Sequence, residues 1–221
     1  MSSITERLKA IRATIPDGVR LIAISKYHPA EAIEEAYNAG QLDFGENKAQ
    51  DLAVKQQILP KDIRWHFTGH LQRNKIKYIA PFIYMIHSVD SLQLLAEIDK
   101  HGAKAGRVIP CLLQIHIAEE ETKFGFTPEE CMAMLEQEEW KQFGNVKIRG
   151  LMCMASNTDD ISQVSEEFRA VRRLFDSIRD RWFADDNEFD TLSAGMSGDY
   201  LNAIECGSTC VRIGSSIFEG E

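Results

Sequence analysis

Lys26 is the residue of this sequence whose position most strongly indicates covalent chemistry. It follows a short, mostly apolar segment, 21–25, and precedes Pro29 and a helical pattern. We expect it at the carboxyl end of a buried strand, where its ammonium must either be paired or lose water. Desolvation favours the neutral amine, which attacks aldehydes to form a Schiff base. In the alternative interpretation, the lysine side chain simply extends from the strand end to solvent.

Two segments near the end of the chain are suited to binding phosphate. Arg212 is followed by a turn of small residues that includes Gly214 and Ser215, and the segment 193–199 contains Ser197 among further small residues. Backbone N–H groups of such turns can bind a phosphate. Serine and glycine are also common in ordinary turns and helix caps, which is the alternative for these residues. A Schiff-base lysine combined with a phosphate site indicates pyridoxal 5′-phosphate (PLP) as the ligand.

Arg212 lies on the last predicted strand, which would direct its side chain into the site. Because a guanidinium cannot accept a hydrogen bond, an arginine beside the pyridine nitrogen of PLP would keep that nitrogen unprotonated. The ring would then be a weak electron sink, although this property is the usual source of the catalytic power of PLP. In the alternative interpretation, Arg212 forms an ion pair with an acidic residue inside the fold.

Asn47 and His70 follow two other predicted strands and are further candidates to line the same site. Asn47 can donate and accept hydrogen bonds, although an asparagine at this position could instead cap the next helix. His70 comes directly after the turn signal Thr68-Gly69, and a turn histidine that faces water is an equally good interpretation.

Strand-like and helix-like segments alternate along the whole sequence. An amphipathic helix is predicted at 2–14, and a helix follows each strand-like segment, the longest at 160–183. The predicted strands are 20–25, 42–46, 64–67, 84–87, 108–117, 146–153, 189–193 and 209–213. This alternation predicts parallel strands with helical crossovers, and hence an α/β fold of the closed (β/α)8 TIM-barrel type with an extra N-terminal helix. An open doubly wound sheet is the second possibility.

The barrel is favoured because the candidate site residues follow strands one, two, three, seven and eight. A closed ring brings these strand ends together at the face where such barrels carry their sites, and the loops after strands seven and eight often bind phosphate. The sequence contains no linker, internal repeat or low-complexity segment. We therefore expect residues 1–221 to form a single PLP-binding barrel domain.

The composition argues against several classes of function. The chain has 221 residues, of which 44% are hydrophobic and 27% charged, and its formal net charge is −9. Nucleic acids and anionic membranes bind proteins with excess lysine and arginine, so we expect neither as a partner. No apolar stretch reaches the length of about 18 residues that a membrane helix needs, and the N-terminus lacks the apolar core of a signal peptide. These patterns predict a cytoplasmic location.

The spacing of cysteine and histidine indicates neither disulfides nor a metal site. The five cysteines form no C-x-x-C motif, and Cys111 and Cys153 lie in apolar runs, as expected for small core residues. His66 and His70 have the i, i+4 spacing of a zinc-binding helix. However, 65–69 has the pattern of a strand entering a turn, so the two side chains would not share a face.

Several motifs in combination resemble the pyridoxal phosphate homeostasis protein family, and the resemblance spans nearly the whole chain. The segments that carry it are 23–26 (AISK), 44–47 (FGEN), 65–75 (WHFTGHLQRNK), 87–90 (HSVD), 150–152 (GLM), 192–197 (LSAGMS) and 211–214 (VRIG). The resemblance implies a barrel of the alanine racemase N-terminal type, which is fold type III among PLP proteins. It also implies a PLP carrier or regulator of vitamin B6 balance, without established catalytic turnover.

The resemblance further implies roles for individual residues. PLP would be held as a Schiff base on Lys26, Arg212 would face the pyridine nitrogen, and Asn47 would line the pocket. The implied phosphate ligands are Ser197, Gly214 and Ser215. The sequence departs from the family at His70, where proline is more frequent, and at 153–156, and both positions belong to the rim of the pocket.

Two other functions stay open at this point. A PLP-dependent amino-acid racemase would need an acid/base group on each face of its substrate, and an aldolase-like barrel would use Lys26 without PLP. Because few residues follow the last predicted strand, which ends near residue 213, we expect no appended domain to supply a second base. This expectation favours a non-catalytic carrier that binds PLP and could exchange it with amino acids or with apo-PLP enzymes. We also expect a monomer.

Overall fold

The structure, a computed structural model that describes residues 3–117 and 124–219, contains a closed barrel of eight parallel strands. The strands are Arg20–Ile24 (β1), Asp43–Glu46 (β2), Arg64–Phe67 (β3), Met85–Val89 (β4), Ile109–Ile115 (β5), Val146–Cys153 (β6), Thr191–Ser193 (β7) and Cys210–Ile213 (β8). Each strand pairs with the next along the chain, and β8 returns to β1 with Ala23 opposite Ile213. The predicted (β/α)8 barrel is confirmed, and the alternative of an open doubly wound sheet is wrong.

Helices alternate with these strands, as the sequence pattern predicts. They are Ile4–Thr14 (α1), Ala30–Asn38 (α2), Ala49–Ile58 (α3), Ile76–Ile79 (α4), Leu92–Ala105 (α5), Pro128–Glu136 (α6), Ile161–Trp182 (α7), Tyr200–Glu205 (α8) and Ser215–Phe218 (α9). The extra N-terminal helix, α1, is confirmed. The helix expected at about 72–79 is a 3-10 turn, Arg73–Lys75, that leads into α4. The 3-10 turn Glu139–Gln142 and the single turn of α9 are additions that the periodicity did not indicate.

Capping residues explain where two of the helices begin. The Ser3 hydroxyl accepts a hydrogen bond from the Glu6 N–H at 3.2 Å, and the Glu6 carboxylate accepts one from the Ser3 N–H at 2.8 Å. Thr127 and Glu130 form the same reciprocal capping box at the start of α6, where Pro128 occupies the first helical position. These side chains satisfy N–H groups that have no partner within the helix, so they determine the helix starts locally.

Two apolar regions of unequal size build the core. The larger one lies between the sheet and the helices and includes outward-facing strand residues such as Leu113 and Ile148. The smaller one consists of Met85, Leu112 and Met152. Because successive side chains of a strand point to opposite faces, these three residues lie inside the barrel.

The other side of the barrel interior is polar. Five of the buried polar side chains on its strands contact one another: Asp43, His66, His87, Ser193 and Arg212. Polar groups removed from water need hydrogen-bond partners inside the protein. The partners of these five side chains define the interior half of the site described below.

All five cysteines are free and buried. The expected core positions of Cys111 and Cys153 are confirmed, since both are fully buried. Burial raises the pKa of Cys131 and of Cys153 to about 12. Both therefore stay in the unreactive thiol form at neutral pH.

Neither a metal centre nor a membrane span is found among residues 3–117 and 124–219. No cluster of histidine, cysteine, aspartate and glutamate in this part of the chain is arranged to hold a metal ion. No helix in the same residues is both long and apolar enough to cross a membrane.

Candidate functional site

The residue before Lys26 is anchored by a buried ion pair. Glu46 accepts hydrogen bonds from the Ser25 hydroxyl at 2.7 Å and from the Lys55 ammonium at 2.6 Å. Lys55 also donates to the Ser25 carbonyl oxygen at 2.9 Å. Both Glu46 and Ser25 are almost completely buried, so these bonds are shielded from water. The arrangement fixes the end of β1, and with it the start of the turn that carries Lys26.

Lys26 itself is exposed, so the expectation of a desolvated or paired ammonium is wrong. Strand β1 ends at Ile24, and a turn closed by a bond from the His28 N–H to the Ser25 carbonyl carries Lys26 above the strand end. Tyr27 adopts a left-handed conformation in this turn, with φ of 69°. The Lys26 ammonium lies 5.8 Å from the centroid of the Tyr27 ring. Its position at the carboxyl end of a barrel strand matches the prediction, but its surroundings are wetter than predicted.

Asn47 directly follows β2 and is half-buried. It packs against the loop after β3, because a Cβ atom added to Gly69 would lie 2.8 Å from the Cα of Asn47. The alternative role of Asn47 as a helix cap is wrong, since the N-cap of α3 is Lys48 and makes no side-chain capping bond. Because residue 69 has no side chain, the loop after β3 can lie this close to Asn47 at the end of β2.

His70 contacts the loops that follow β4 and β5. Its Nδ1 lies 3.3 Å from Oδ2 of Asp90, and its ring stacks on Phe124 with 3.9 Å between the ring centroids. The side chain is 41% exposed, so it is neither a free turn histidine nor a buried one. Its participation in the same site as Lys26 stays a prediction.

The loops after β7 and β8 are joined at the residues predicted to bind phosphate. The Gly214 N–H donates to the Ser197 hydroxyl oxygen at 3.2 Å, and the Arg212 N–H donates to the Gly195 carbonyl at 3.0 Å. Ser215 is exposed and is the first residue of α9.

These two loops also meet the end of the Lys26 strand. A Cβ atom added to Gly214 would lie 3.1 Å from the carbonyl oxygen of Ile24. This close approach favours glycine, and it follows from the pairing of β1 with β8. The structure therefore brings the turn of Lys26 and the predicted phosphate loops to one end of the barrel.

Arg212 is buried below these loops and is held by oxygen acceptors. One terminal nitrogen donates to the Ser193 carbonyl at 2.8 Å and to the Ser193 hydroxyl at 2.7 Å, and the other donates to the Cys153 carbonyl at 2.8 Å. Burial lowers the pKa of Arg212 from its usual value, but a guanidinium remains charged at neutral pH. Among the described residues no carboxylate lies within ion-pair distance of Arg212, so the alternative of a salt bridge is wrong for this part of the chain.

A chain of hydrogen bonds continues from Arg212 through the barrel, and sequence analysis missed it. The Ser193 hydroxyl lies 3.0 Å from Nδ1 of His87, whose Nε2 lies 2.9 Å from Nδ1 of His66. Nε2 of His66 lies 3.0 Å from Oδ1 of Asp43. We call Asp43, His66, His87 and Ser193 the polar row. The available signal was weak: polar residues on short buried strands, each at a position whose side chain could face the interior.

The far end of the polar row is an ion pair. Arg64 donates to both carboxylate oxygens of Asp43, at 2.9 and 2.5 Å. A cavity of about 630 Å³ at the amino-terminal end of the barrel is lined by both residues. The row thus connects Arg212, below the carboxyl-terminal loops, to the opposite end of the barrel.

The polar row is neutral at its two histidines and charged at Asp43. Burial lowers the pKa of His66, and it lowers the pKa of His87 still more strongly, with the neighbouring positive charges of Arg212 and Arg20 acting in the same direction. Burial alone would raise the pKa of Asp43, but hydrogen bonds from His66 and Arg64 bring it below the usual value. Both imidazoles are therefore uncharged at pH 7, and Asp43 is ionised.

Comparison with known proteins identifies the class to which this barrel belongs. The sequence profile of the family described as "Alanine racemase, N-terminal domain" matches residues 1–221. A curated relative from Helicobacter pylori, named pyridoxal phosphate homeostasis protein, is 38% identical over 91% of this chain and 87% of its own length. A relative of the same name from Schizosaccharomyces pombe is 35% identical over 99% of this chain and 93% of its own.

Solved structures give the same result. PipY of Synechococcus elongatus, determined with PLP bound, superposes on this chain with a TM-score of 0.88 and is 36% identical in sequence. The match covers 98% of this chain and 100% of the PipY chain. Alanine racemase of Clostridium difficile superposes with a TM-score of 0.77 and is 13% identical in sequence. The match covers 97% of this chain and 56% of the racemase chain, and at this identity it shows only that the two share a fold. The chain therefore belongs to the alanine racemase N-terminal domain family and, within it, to the pyridoxal phosphate homeostasis proteins.

The buried histidines predict how stability depends on pH. Their folded-state pKa values are lowered, so below about pH 6.5 the unfolded chain binds protons that the folded chain does not. The free energy of unfolding should therefore fall as pH falls from about 6.5, by up to about 1.4 kcal/mol per pH unit for each histidine. This slope is measured by urea unfolding at a series of pH values on both sides of the usual histidine pKa of about 6.5.

The matched variant for this prediction is His87→Asn, which removes one of the two imidazoles. It should lose about half of the slope. Substitution of the partly exposed His101 on α5, whose pKa is lowered less than that of His87, should change the slope by a smaller amount. A slope that is the same in the wild type and in His87→Asn would show that His87 takes up its proton equally well in both states.

Proposed function

We propose that this protein binds PLP and acts in the homeostasis of vitamin B6, holding the cofactor as a Schiff base on Lys26. The observation that carries this proposal is the meeting of the Lys26 turn with the loops after β7 and β8, in a chain similar to PLP-bound PipY. PLP supplies an aldehyde that condenses with a primary amine, and Lys26 offers an accessible amine at the end of a barrel strand.

The donors around this end of the barrel fit the chemistry of PLP. Lys26 and Arg212 carry only donor atoms in their charged heads, and Ser197 and Ser215 offer hydroxyls. The phosphate of PLP and its pyridine nitrogen accept hydrogen bonds, so each of these donor groups can bind part of PLP. We assign the phosphate to the loops of Ser197, Gly214 and Ser215, the pyridine nitrogen to Arg212, and the walls of the pocket to Asn47 and His70.

Arg212 favours a carrier over an enzyme. Its guanidinium donates and stays charged in the barrel, with carbonyl and hydroxyl oxygens as partners. Facing the ring nitrogen, it keeps that nitrogen unprotonated, and an unprotonated pyridine withdraws electrons poorly from a reacting substrate. We therefore propose that the protein does not turn over amino acids.

The exposure of Lys26 suits a carrier for a further reason. An incoming amine must reach the aldehyde carbon to displace the lysine, and a turn at the barrel rim is open to such an amine. Free amino acids and the lysines of apo-PLP enzymes are the proposed recipients. The single-domain organisation, the monomeric state and the cytoplasmic location expected from the sequence stay predictions.

The first prediction from the proposed function concerns the covalent attachment of PLP to Lys26. Incubation with PLP followed by borohydride should add one reduced cofactor to the peptide that contains Lys26, as read by peptide mass spectrometry. Lys26→Ala should abolish this labelling. Lys48→Ala is the matched control, because the Lys48 ammonium lies at a similar distance, 5.6 Å, from the same Tyr27 ring and should keep full labelling. Labelling that persists in Lys26→Ala or depends on Lys48 would refute the assignment.

The second prediction tests the phosphate loops. Ser197→Ala combined with Ser215→Ala should weaken PLP binding by about 2–4 kcal/mol, taking about 1–2 kcal/mol for each lost hydrogen bond to a charged group. Binding of pyridoxal, which lacks the phosphate, should change little in the same variant. Ser216→Ala is the control, since this residue is exposed on the same turn of α9 but is not assigned to the phosphate. Equal affinity of the wild type for PLP and pyridoxal would contradict this phosphate site.

The third prediction tests the absence of catalysis. The PLP-loaded protein should exchange the Cα hydrogen of L- or D-alanine for deuterium no faster than free PLP does, because the ring is a weak electron sink. Slow transfer of PLP to the amino acid is compatible with the carrier. Nuclear magnetic resonance of alanine in deuterated water measures the exchange. Rapid exchange that disappears in Lys26→Ala would identify a small racemase instead.

A further inference from the structure

The polar row is a connected set of buried polar groups that the binding of phosphate and aldehyde does not use. It consists of Asp43, His66, His87 and Ser193, and it touches Arg212 at one end. The members come from β2, β3, β4 and β7, and all of them are buried. Four separate strands thus contribute one continuous line of hydrogen bonds.

The hydrogen bonds of the polar row can run in only one direction. Arg212 can only donate, and the ionised carboxylate of Asp43 can only accept. Each of the three groups between them, when neutral, has one hydrogen to donate. Arg212 therefore donates to Ser193, which donates to Nδ1 of His87. Nε2–H of His87 then donates to Nδ1 of His66, and Nε2–H of His66 donates to Asp43.

We propose that the polar row is a positioning device that makes the Ser193 hydroxyl an obligatory acceptor for Arg212. The carboxylate of Asp43 sets the tautomer of His66, which sets that of His87, which in turn points the hydroxyl hydrogen of Ser193 away from the guanidinium. The inference rests on the proposed function, in which Arg212 faces the pyridine nitrogen. It adds four positioning residues behind that contact.

The row also explains why Arg212 keeps its full charge toward a ligand. The only carboxylate of the polar row, Asp43, lies at the far end and is paired with Arg64. Between it and Arg212 stand neutral groups, each satisfied on both sides. The guanidinium is thus oriented through hydrogen bonds without being neutralised by a neighbouring negative charge.

A proton taken up by the row would undo this orientation. Protonated His66 would present N–H groups to both neighbours, so His87 would have to turn its acceptor nitrogen toward it and its N–H toward Ser193. Ser193 would then accept a hydrogen from His87 and could no longer donate its own to that ring. Charged groups that face the two imidazoles are Asp43 from β2, Arg64 from β3, Arg20 from β1 and Arg212 from β8. The three cations oppose protonation, and Asp43 alone favours it.

The first experiment reads the tautomers of the ligand-free protein. Long-range ¹H–¹⁵N correlation spectra at pH 7 should show both His66 and His87 as neutral imidazoles protonated at Nε2. Assignment uses the single variants His66→Gln and His87→Asn. A charged ring, or a ring protonated at Nδ1, would overturn the proposed direction of the row, whatever the protein binds.

The second experiment measures what the row does for PLP. Ser193→Ala and His87→Phe each remove the link between Arg212 and Asp43, and each should weaken PLP binding about 5- to 10-fold and shift the visible absorption of the bound cofactor. His87→Asn retains an acceptor for the Ser193 hydroxyl and should bind PLP within about twofold of the wild type. This recovery distinguishes positioning from simple loss of packing.

Ser208→Ala is the matched control for the loss of a buried hydroxyl. Ser208 is as buried as the row, but its hydroxyl contacts main-chain carbonyls, such as that of Ala194 at 2.8 Å. This variant should keep the affinity and the spectrum of the wild type. If His87→Phe does not fold, Ser193→Ala gives the same comparison with a smaller change.

The outcomes separate this inference from the proposed function. A wild-type protein that does not bind PLP would refute the proposed function, and the tautomers would still decide the direction of the row. A wild type that binds PLP on Lys26, with Ser193→Ala and His87→Phe unchanged in affinity and absorption, would refute positioning by the row and leave the PLP assignment intact.

Discussion

The burial of one guanidinium inside the barrel is the constraint on which the rest of the site depends. A cation that cannot lose its proton must find acceptors when it leaves water, or the fold pays a large desolvation cost. Arg212 finds them in two main-chain carbonyls and a hydroxyl, which belong to β6 and β7. Those acceptors are in reach because β7 pairs with β8 on one side and with β6 on the other. The order of the last three strands therefore determines how the arginine is oriented.

Much of the fold could be predicted from the sequence, because parallel strands buried on both faces and amphipathic helices leave strong periodic signals. The strand limits predicted around Lys26 and Arg212 lie within one or two residues of those observed. The meeting of the loops after β7 and β8 was also predictable, since a barrel has only one carboxyl-terminal face. Short elements such as α9 were missed, because a single helical turn contains too few residues to show a period.

The polar interior could not be predicted, for a physical reason. Whether His66 is a satisfied core residue depends on the distance to His87 and Asp43, and these residues come from three different strands with no local signal between them. The sequence also could not decide between a desolvated Lys26 and one that extends to solvent. The structure shows the second arrangement, in a turn where Tyr27 has a left-handed conformation that is unusual for a residue other than glycine. The residue before Lys26 is held by the Glu46–Lys55 pair, and the sequence alone does not connect these residues to the turn.

The burial of all five cysteines has a consequence for the selectivity of this barrel toward aldehydes. Thiolates are better nucleophiles than amines and are also the form that oxidants attack. By keeping every cysteine in the core as a thiol, the fold leaves amines as the nucleophiles available to a carbonyl compound that arrives at the rim. The same burial protects the protein from mixed disulfides. The surface therefore offers no thiol of its own to an aldehyde that reaches the rim.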